Sequence, residues 1–441
     1  MSDTAAELNE KVRQQFEKGP YPRIALEQTP KNNYNVMFIH NIVTPYYLKY
    51  QKVIETEGKL ILDAGCGSGY KALALAEANP GSKIIGIDFS EESIKLARQR
   101  LEYHGIKNAE FYAISIEELP KLGLEFDYIN CDDVLYLLSD IVGGLQSMKA
   151  VLKPEGIIRA NLHSRLQREQ FYRSQQIFKM MGLMEATPGE TEIEIVRDIF
   201  KALKDGLDMK IQIWKSDLEN NEEYILANYL LQNDKGFTIP EMFSAFQEAE
   251  LDFISMVNWP HWDLMDLFKE PDNLPTFLGL TLPEISIEEK LHLFELLRPV
   301  HRLLDFWCGH AGATTPVLPV DEWTLSDWEG TRVHLHPQLI NPEVKADLIQ
   351  SIVTPIPFEI TRYLNATSKG TMWLESSIAA CLLPLWNGPQ PFLSLVEHWR
   401  KIRPIDPITL EPIEQQRAFE DLQVFLQSLQ PLLYVLLERY V

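Results

Sequence analysis

Hydrophobic and polar positions alternate between two periods along the first third of the chain. Short apolar runs read as buried strands at Leu60–Leu62, Lys83–Asp88, Glu110–Ile114, Phe126–Cys131 and Ile157–Leu162. Between them the apolar residues recur at helical spacing. One such stretch is Tyr70–Asn79, stopped by Pro80-Gly81, and another is Val142–Leu152. A third follows Ser90, a plausible N-cap, buries Ile94, Ala97 and Leu101 on one face, and closes at Gly105. Two helices precede the first strand, Glu7–Phe16 and Tyr34–Tyr50, with the extended turn Gly19-Pro20-Tyr21-Pro22-Arg23 between them. This alternation predicts an α/β fold: a parallel sheet with helices on both faces and a ligand at the carboxyl ends of its strands.

After Ser164 the alternation stops. Gln167–Met184 and Thr191–Lys204 read as helices, followed by a polar, acidic loop to Glu223. Strand-and-helix pattern resumes at Thr238-Ile239-Pro240, with a helix over Ser244–Leu251 and a strand over Phe253–Val257. The expected organisation is therefore a ligand-binding core over 1–164 and 237–262, interrupted by a helical lid over 165–236. Phe178, Met180, Met181 and Met184 either line the crevice or form the lid's own core. A helical connecting region follows over 263–343, cut into short pieces by prolines. The last segment, 344–441, reads as a separate small α/β module. Its stripe Phe419, Leu422, Phe425, Leu426, Leu429, Leu432, Leu433 and Leu436 has helical spacing and suits core packing or a homodimer face.

The chemistry concentrates where the first strand ends. Asp63 is followed by Gly65, Gly67 and Gly69 at alternate positions, then by a helix. Glycines let a backbone pass close to a ligand, and the helix start offers free N–H groups and a positive dipole end to a carboxylate. About twenty residues further on, Asp88 ends a second strand, where an acid accepts hydrogen bonds from ribose hydroxyls. Asp63-Ala64-Gly65-Cys66-Gly67-Ser68-Gly69 with Ile87-Asp88-Phe89 resembles motifs I and II of the class I S-adenosylmethionine methyltransferases.

That resemblance implies a Rossmann-like class I methyltransferase fold, S-adenosylmethionine as cofactor, and a cofactor site of Asp63, Gly65, Cys66, Gly67, Gly69, Asp88, Phe89, Ser115, Ile116 and Cys131. It places the methyl acceptor after the fourth strand, at Cys131-Asp132-Asp133-Val134. Amide methylators of the class often carry Asn-Pro-Pro-Tyr there, and this chain does not. Asp132 or Asp133 either takes a proton and orients an amine, caps the next helix, or holds the cofactor's methionine end. Tyr21, Arg23 and His40 are candidate pocket residues. Tyr21 also reads as a packed aromatic and His40 as a satisfied core histidine. Thr238-Ile239-Pro240, His334-Leu335-His336-Pro337 and Leu383-Pro384-Leu385-Trp386-Asn387-Gly388 are similar to bacterial protein lysine methyltransferases with a regulatory, winged-helix-like C-terminal region. A cyanobacterial phycobiliprotein asparagine methyltransferase is of this general type. A protein substrate is the implied partner.

Charge and cysteine usage narrow the partners. The chain has 41 basic and 63 acidic residues, a net charge of −22, and no local basic patch, which argues against a nucleic acid substrate. Four unpaired-looking cysteines and a polar, charged start suit a reducing cytoplasm. No apolar run reaches membrane-spanning length. His301, Cys308, His310, His334 and His336 fit no zinc spacing, so no metal is expected, and Trp307-Cys308-Gly309-His310 reads as a packed turn. A small-molecule methyltransferase and a non-enzymatic sensor of the cofactor remain the competing readings.

Overall fold

The computed structural model describes residues 5–312, 317–364, 370–406 and 409–440. The chain enters through α1 (Ala5–Lys18), α2 (Tyr34–Ile39) and α3 (Val43–Tyr50). The single helix expected over Tyr34–Tyr50 is thus two. The break follows from Asn41, whose side-chain oxygen accepts from Val43 N at 2.9 Å while its amide donates to Ala78 O at 3.0 Å. A side chain that bonds backbone two residues ahead competes with the helix ladder.

The sheet then builds in chain order: β1 (Leu60–Ala64), α4 (Tyr70–Ala78), β2 (Lys83–Asp88), α5 (Glu91–Tyr103), β3 (Ala109–Ala113), β4 (Phe126–Cys131), α6 (Ile141–Lys149) and β5 (Leu152–Ser164). Strands run parallel in the order β3-β2-β1-β4-β5. The central strands are buried along almost their whole length, as a parallel sheet covered on both faces requires. Ser90 caps α5 by accepting from Ser93 N at 3.1 Å.

The insertion forms α7 (Glu169–Met180), α8 (Glu190–Ala202), α9 (Asp208–Ile213) and α10 (Glu222–Tyr229) around a small core of its own. Phe200 stacks on Trp214 at 4.6 Å in that core, beside Phe178, Val196 and Tyr229. Phe178 and Met184 are buried there, whereas Met180 and Met181 face solvent.

The chain returns through β6 (Gly236–Phe237), α11 (Ile239–Ala249), β7 (Leu251–Met256), α12 (Thr276–Thr281), α13 (Ile287–Leu297) and β8 (Leu303–His310). Here the structure corrects the sequence reading. The segment read as a helical connector over 263–343 contains β8, and Trp307–His310 is the second half of a buried strand rather than a turn. β8 lies between β5 and β7 and is antiparallel to both, so the sheet continues β5-β8-β7 and is not wholly parallel. Asp305 interrupts the apolar run and disguised the strand, because its partner lies on another strand.

The rest comprises α14 (Leu325–Glu329), β9 (Thr331–Leu335), α15 (Pro342–Val353), β10 (Phe358–Glu359), β11 (Trp373–Leu374), α16 (Ser376–Leu382), β12 (Gln390–Pro391), α17 (Phe392–Ile402), α18 (Gln415–Leu429) and β13 (Val435–Arg439). A three-stranded antiparallel sheet, β12-β9-β13, carries the helices. The apolar core of this layer already includes Val320, Trp328 and Val333, ahead of the expected boundary at 344, and reaches back to Phe38, Val43 and Tyr47. Tyr47 Oη accepts from Leu437 N at 2.9 Å. A cut at 344 therefore splits one core. The C-terminal apolar stripe is core, not a dimer face: α18 ends at Leu429, Pro431 follows, and Leu436 belongs to β13.

Arg159 binds the halves of the sheet together. In register it sits between Asn130 on β4 and Trp307 on β8. Its guanidinium donates to Asp305 at 3.1 and 2.8 Å, to Asn130 Oδ1 at 3.0 Å and to Asp132 at 3.4 Å. Lys71 from α4 donates to the same Asp132. Burial alone works against the guanidinium's charge, but Asp132 and Asp305 outweigh it and hold the proton more tightly. Removing one member strands the others as buried charges. Arg159→Leu should therefore destabilise the protein by roughly 3–5 kcal/mol in urea unfolding. A loss below about 1 kcal/mol would show the network to be dispensable.

Candidate active site

The glycine loop is shaped by what packs on it. Gly67 and Gly69 lie at φ +49° and +80°, where side chains are strained. A Cβ on Gly69 would meet Ala97 Cα of α5 at 2.6 Å, and one on Gly67 would enter the carbonyl of Tyr21. The amides of Gly65 and Cys66 both donate to Ile87 O at 2.8 Å, which locks the loop to the end of β2. Asp88 follows there. It accepts from Gly67 N at 3.0 Å and Ser90 N at 2.9 Å, and burial pushes its carboxyl up to about 6.

Asp63 ends β1 fully buried. Asn130 Nδ2 donates to its Oδ1 at 2.8 Å, and its Oδ2 has no partner. Burial pushes this carboxyl up to about 7. An unsatisfied buried oxygen beside a glycine loop and a helix start is an acceptor for an ammonium group, which S-adenosylmethionine carries. The residues present thus fit that molecule: Asp63 for its amino group and Asp88 for its ribose. Ser115 and the buried Ile116 follow β3, half-buried Phe89 follows β2, and Cys66 and Cys131 are buried at the loop and the end of β4. Burial pushes both thiols up, so they are packing groups here and not nucleophiles.

The turn at Tyr21 lies over this loop. Ser68 N donates to Tyr21 O at 2.9 Å and Ser68 Oγ to Pro22 O at 2.8 Å. Arg100 donates to the carbonyls of Ser68, Ala25 and Ile24 at 2.9, 2.8 and 2.7 Å. Arg23 ties the segment to the lid, its amide donating to Glu223 at 2.9 Å and its guanidinium 3.5 Å from Glu222.

A cavity of about 380 Å³ opens beside this turn, lined among others by Tyr21, Arg23, Asp133, Tyr136, His163, Glu223, Tyr224 and Arg302. The two adjacent acids of the sequence separate here. Asp133 faces the cavity at φ +61°, with its carboxylate 3.0 Å from Arg302 and 3.4 Å from Tyr136 Oη. Asp132 turns away into the Arg159 network, where Asn161 also donates to it at 2.6 Å. Burial alone would raise Asp132, but Arg159 and Lys71 hold it well below the usual carboxylate range. Its oxygens are committed, so it orients structure and does not face an acceptor. His40 is likewise outside the cavity. It donates to Val36 O at 2.7 Å, lies 3.8 Å from Asp132, and burial with Arg159 pushes it down to about 3.

Three residues in or behind the cavity wall escaped the sequence reading. His163, next to last in β5, stacks on Tyr136 at 3.6 Å and donates through Nδ1 to Asp234 at 2.6 Å. Its Nε2 accepts from Arg302 Nη1 at 3.0 Å. Asp234 is buried, and Arg168 and Gln175 also donate to it, each at 2.9 Å. Burial would raise Asp234, but its partners, His163 first, hold it at about 2. Reading β5 one residue further would have found His163 at a strand's carboxyl end. Asp234 and Arg302 had no sequence signal, because 71 and 139 residues separate them from it. A larger cavity of about 1250 Å³, lined mainly by the segment 259–283 with parts of β7 and α13, shares none of these groups.

Comparison with known proteins agrees with this geometry. Residues 55–227 match a family described as methyltransferase domain. An uncharacterised protein of Synechococcus sp. is 24% identical over 71% of this chain and 73% of its own length. A ubiquinone biosynthesis O-methyltransferase of Actinobacillus pleuropneumoniae is 33% identical over 27% of this chain, which spans about half (52%) of that relative. PKMT2 from Rickettsia typhi shares the fold, with a TM-score of 0.57 and 19% identity over 92% of this chain and 75% of that one; its complex with AdoHcy aligns over 95% of this chain. The chain carries an S-adenosylmethionine-dependent methyltransferase domain of Rossmann-like class I fold. Among the described residues, no helix is long and apolar enough to cross a membrane.

Two sets of variants test the cofactor site. Asp88→Ala removes the ribose acceptor, and Gly67→Val forces the loop off Tyr21. Each should weaken S-adenosylmethionine binding by about tenfold or more in calorimetry, and unchanged affinity in folded protein would overturn the assignment. Asp63 binds its proton more tightly folded than unfolded, so ionising it costs stability as pH rises from about 4 to about 7. Asp63→Asn should therefore melt like the parent near pH 4. Above about pH 7 it should be more stable by roughly 1–3 kcal/mol, while binding the cofactor more weakly. A stability difference that does not vary with pH would refute this account.

Proposed function

We propose that the chain transfers the methyl group of S-adenosylmethionine to a side-chain nitrogen of a protein, lysine or asparagine. The sulfonium supplies an already activated methyl, so the polypeptide's task is to align the acceptor and exclude water. In this reading Asp63 and Asp88 hold the cofactor. The turn at Tyr21 closes over the loop, and Asp133 orients the acceptor nitrogen in the aromatic-walled cavity beside it.

The observation that carries the reading is the extent of the fold likeness. It runs through the lid and the C-terminal layer to 92% of the chain, and the matched structure is PKMT2. The O-methyltransferase relative at 33% identity matches 27% of the chain, within the domain that any member of the class needs. A small-molecule acceptor is the second reading, favoured by that identity and by the cavity's modest volume.

Labelled S-adenosylmethionine, purified enzyme and lysate from a strain lacking this gene separate the two. Label is expected in one or a few protein bands that survive nuclease and disappear with protease. Label confined to small molecules or to RNA would overturn the proposal.

A further inference from the structure

The two acids that follow β4 are held by cations. Asp132 is locked to Arg159 and Lys71, and Asp133 is paired with Arg302. Burial pushes the Tyr21 hydroxyl up to about 12, so it keeps its proton at neutral pH. His163 differs. Its Nδ1–H is given to Asp234 at 2.6 Å, and its Nε2 lone pair, on a residue that lines the cavity, is met by the partly exposed Arg302 at 3.0 Å. The ring is clamped on its face by Tyr136, and Asp234 is clamped in turn by Arg168 and Gln175. Nothing about cofactor binding needs this chain of hydrogen bonds, and it ends at the wall of the acceptor cavity.

We propose that His163 is the base of the transfer, receiving on Nε2 the proton that the acceptor sheds, with Asp234 as its positioning residue. This rests on the acceptor assignment above. In the step the acceptor's lone pair forms a nitrogen–carbon bond as the carbon–sulfur bond breaks toward sulfur. The sulfonium becomes a neutral thioether, and the proton leaves nitrogen for Nε2. One positive charge thus passes from sulfur to imidazole, where the Asp234 carboxylate faces it. Arg302 now donates to Nε2 at 3.0 Å and must swing away; its side chain is 45% exposed, and Asp133 keeps hold of its other nitrogen at 3.0 Å.

The charged groups around the ring are Asp234, Arg168 and Arg302, with Asp133 beyond Arg302. Burial first, then the two arginines, lower the imidazole to about 4 against the pull of Asp234. His163 is therefore neutral and ready to accept at neutral pH, and its imidazolium returns the proton quickly to solvent.

The test has one arm that needs no acceptor. Nitrogen NMR of the full chain, with and without S-adenosylhomocysteine, should show His163 neutral between about pH 6 and 8, with Nδ1 protonated and Nε2 bare. Asp234→Asn should lose that single tautomer. A protonated Nε2 in the wild type would overturn the proposal.

In the second arm, methyl transfer to all fractions of the lysate is counted. His163→Ala should lose about 100-fold or more in rate. Affinity for S-adenosylhomocysteine should stay within about threefold. Added imidazole should restore part of the rate, which a merely structural role would not allow. His163→Gln serves if the alanine variant does not fold. Variants that keep their rate within about fivefold at all pH values would overturn the role of His163. Label in small molecules would overturn the protein acceptor, while the loss of rate in the variants would still identify His163 as the base.

Discussion

The buried guanidinium of Arg159 is the constraint on which the rest depends. It lies in a row of side chains that crosses the sheet from strand to strand: Asp63, Asn130, Arg159, and then Asp305 on β8. Each member fixes the next. Arg159 orients Asn130 by donating to its oxygen, which turns the amide nitrogen toward Asp63. Asp63 is then left with one oxygen satisfied and one free. The same guanidinium holds β8 against β5 and keeps Asp132 out of the cavity lining. A buried ionic network is not needed for stability as such, since apolar residues of similar volume often serve as well. Here it sets strand order and the orientation of a functional carboxylate together.

Three distant segments close the site. The turn at Tyr21 sits on the glycine loop through Ser68 and Arg100. The lid contributes Glu223 and Tyr224, and the segment entering β8 contributes Arg302. Glycine loop and cavity therefore share a wall: the carbonyl of Tyr21 touches the loop, while the residue also lines the cavity. Arg23 and its two glutamates tie the lid to the turn that sits on the glycine loop. His163 is at the meeting point, held by the lid's own Arg168 and Gln175 through Asp234.

The C-terminal layer is part of the same body. Its core takes in Phe38, Val43 and Tyr47, and α3 thus touches both the sheet and the layer. Thr44 and His336 meet in the seam between them at 2.9 Å. His336, which invites a metal reading in the sequence, is buried and bonded there, while His310 is bonded to Leu152 O at 3.0 Å on the far side of the sheet. The histidines were neighbours only along the chain.

The local pattern of the chain by itself determined β1 to β4 with α4, α5 and α6, because each is short and regular, and α4 and α5 end or begin at a proline, glycine or capping serine. It also determined the glycine loop and the two acids at the strand ends, whose spacing is a local property of a strand, turn and helix. Tertiary structure alone decided which of Asp132 and Asp133 faces the cavity. That choice depends on an arginine 27 residues later and on a positive φ that the sequence does not announce. It alone decided that Leu303–His310 is a strand in the middle of the sheet, since a charged residue can occupy a buried strand only when its counter-charge arrives from another one. It likewise assembled His163, Asp234 and Arg302, whose chemistry comes from their distances, and those distances exist only once the chain has folded.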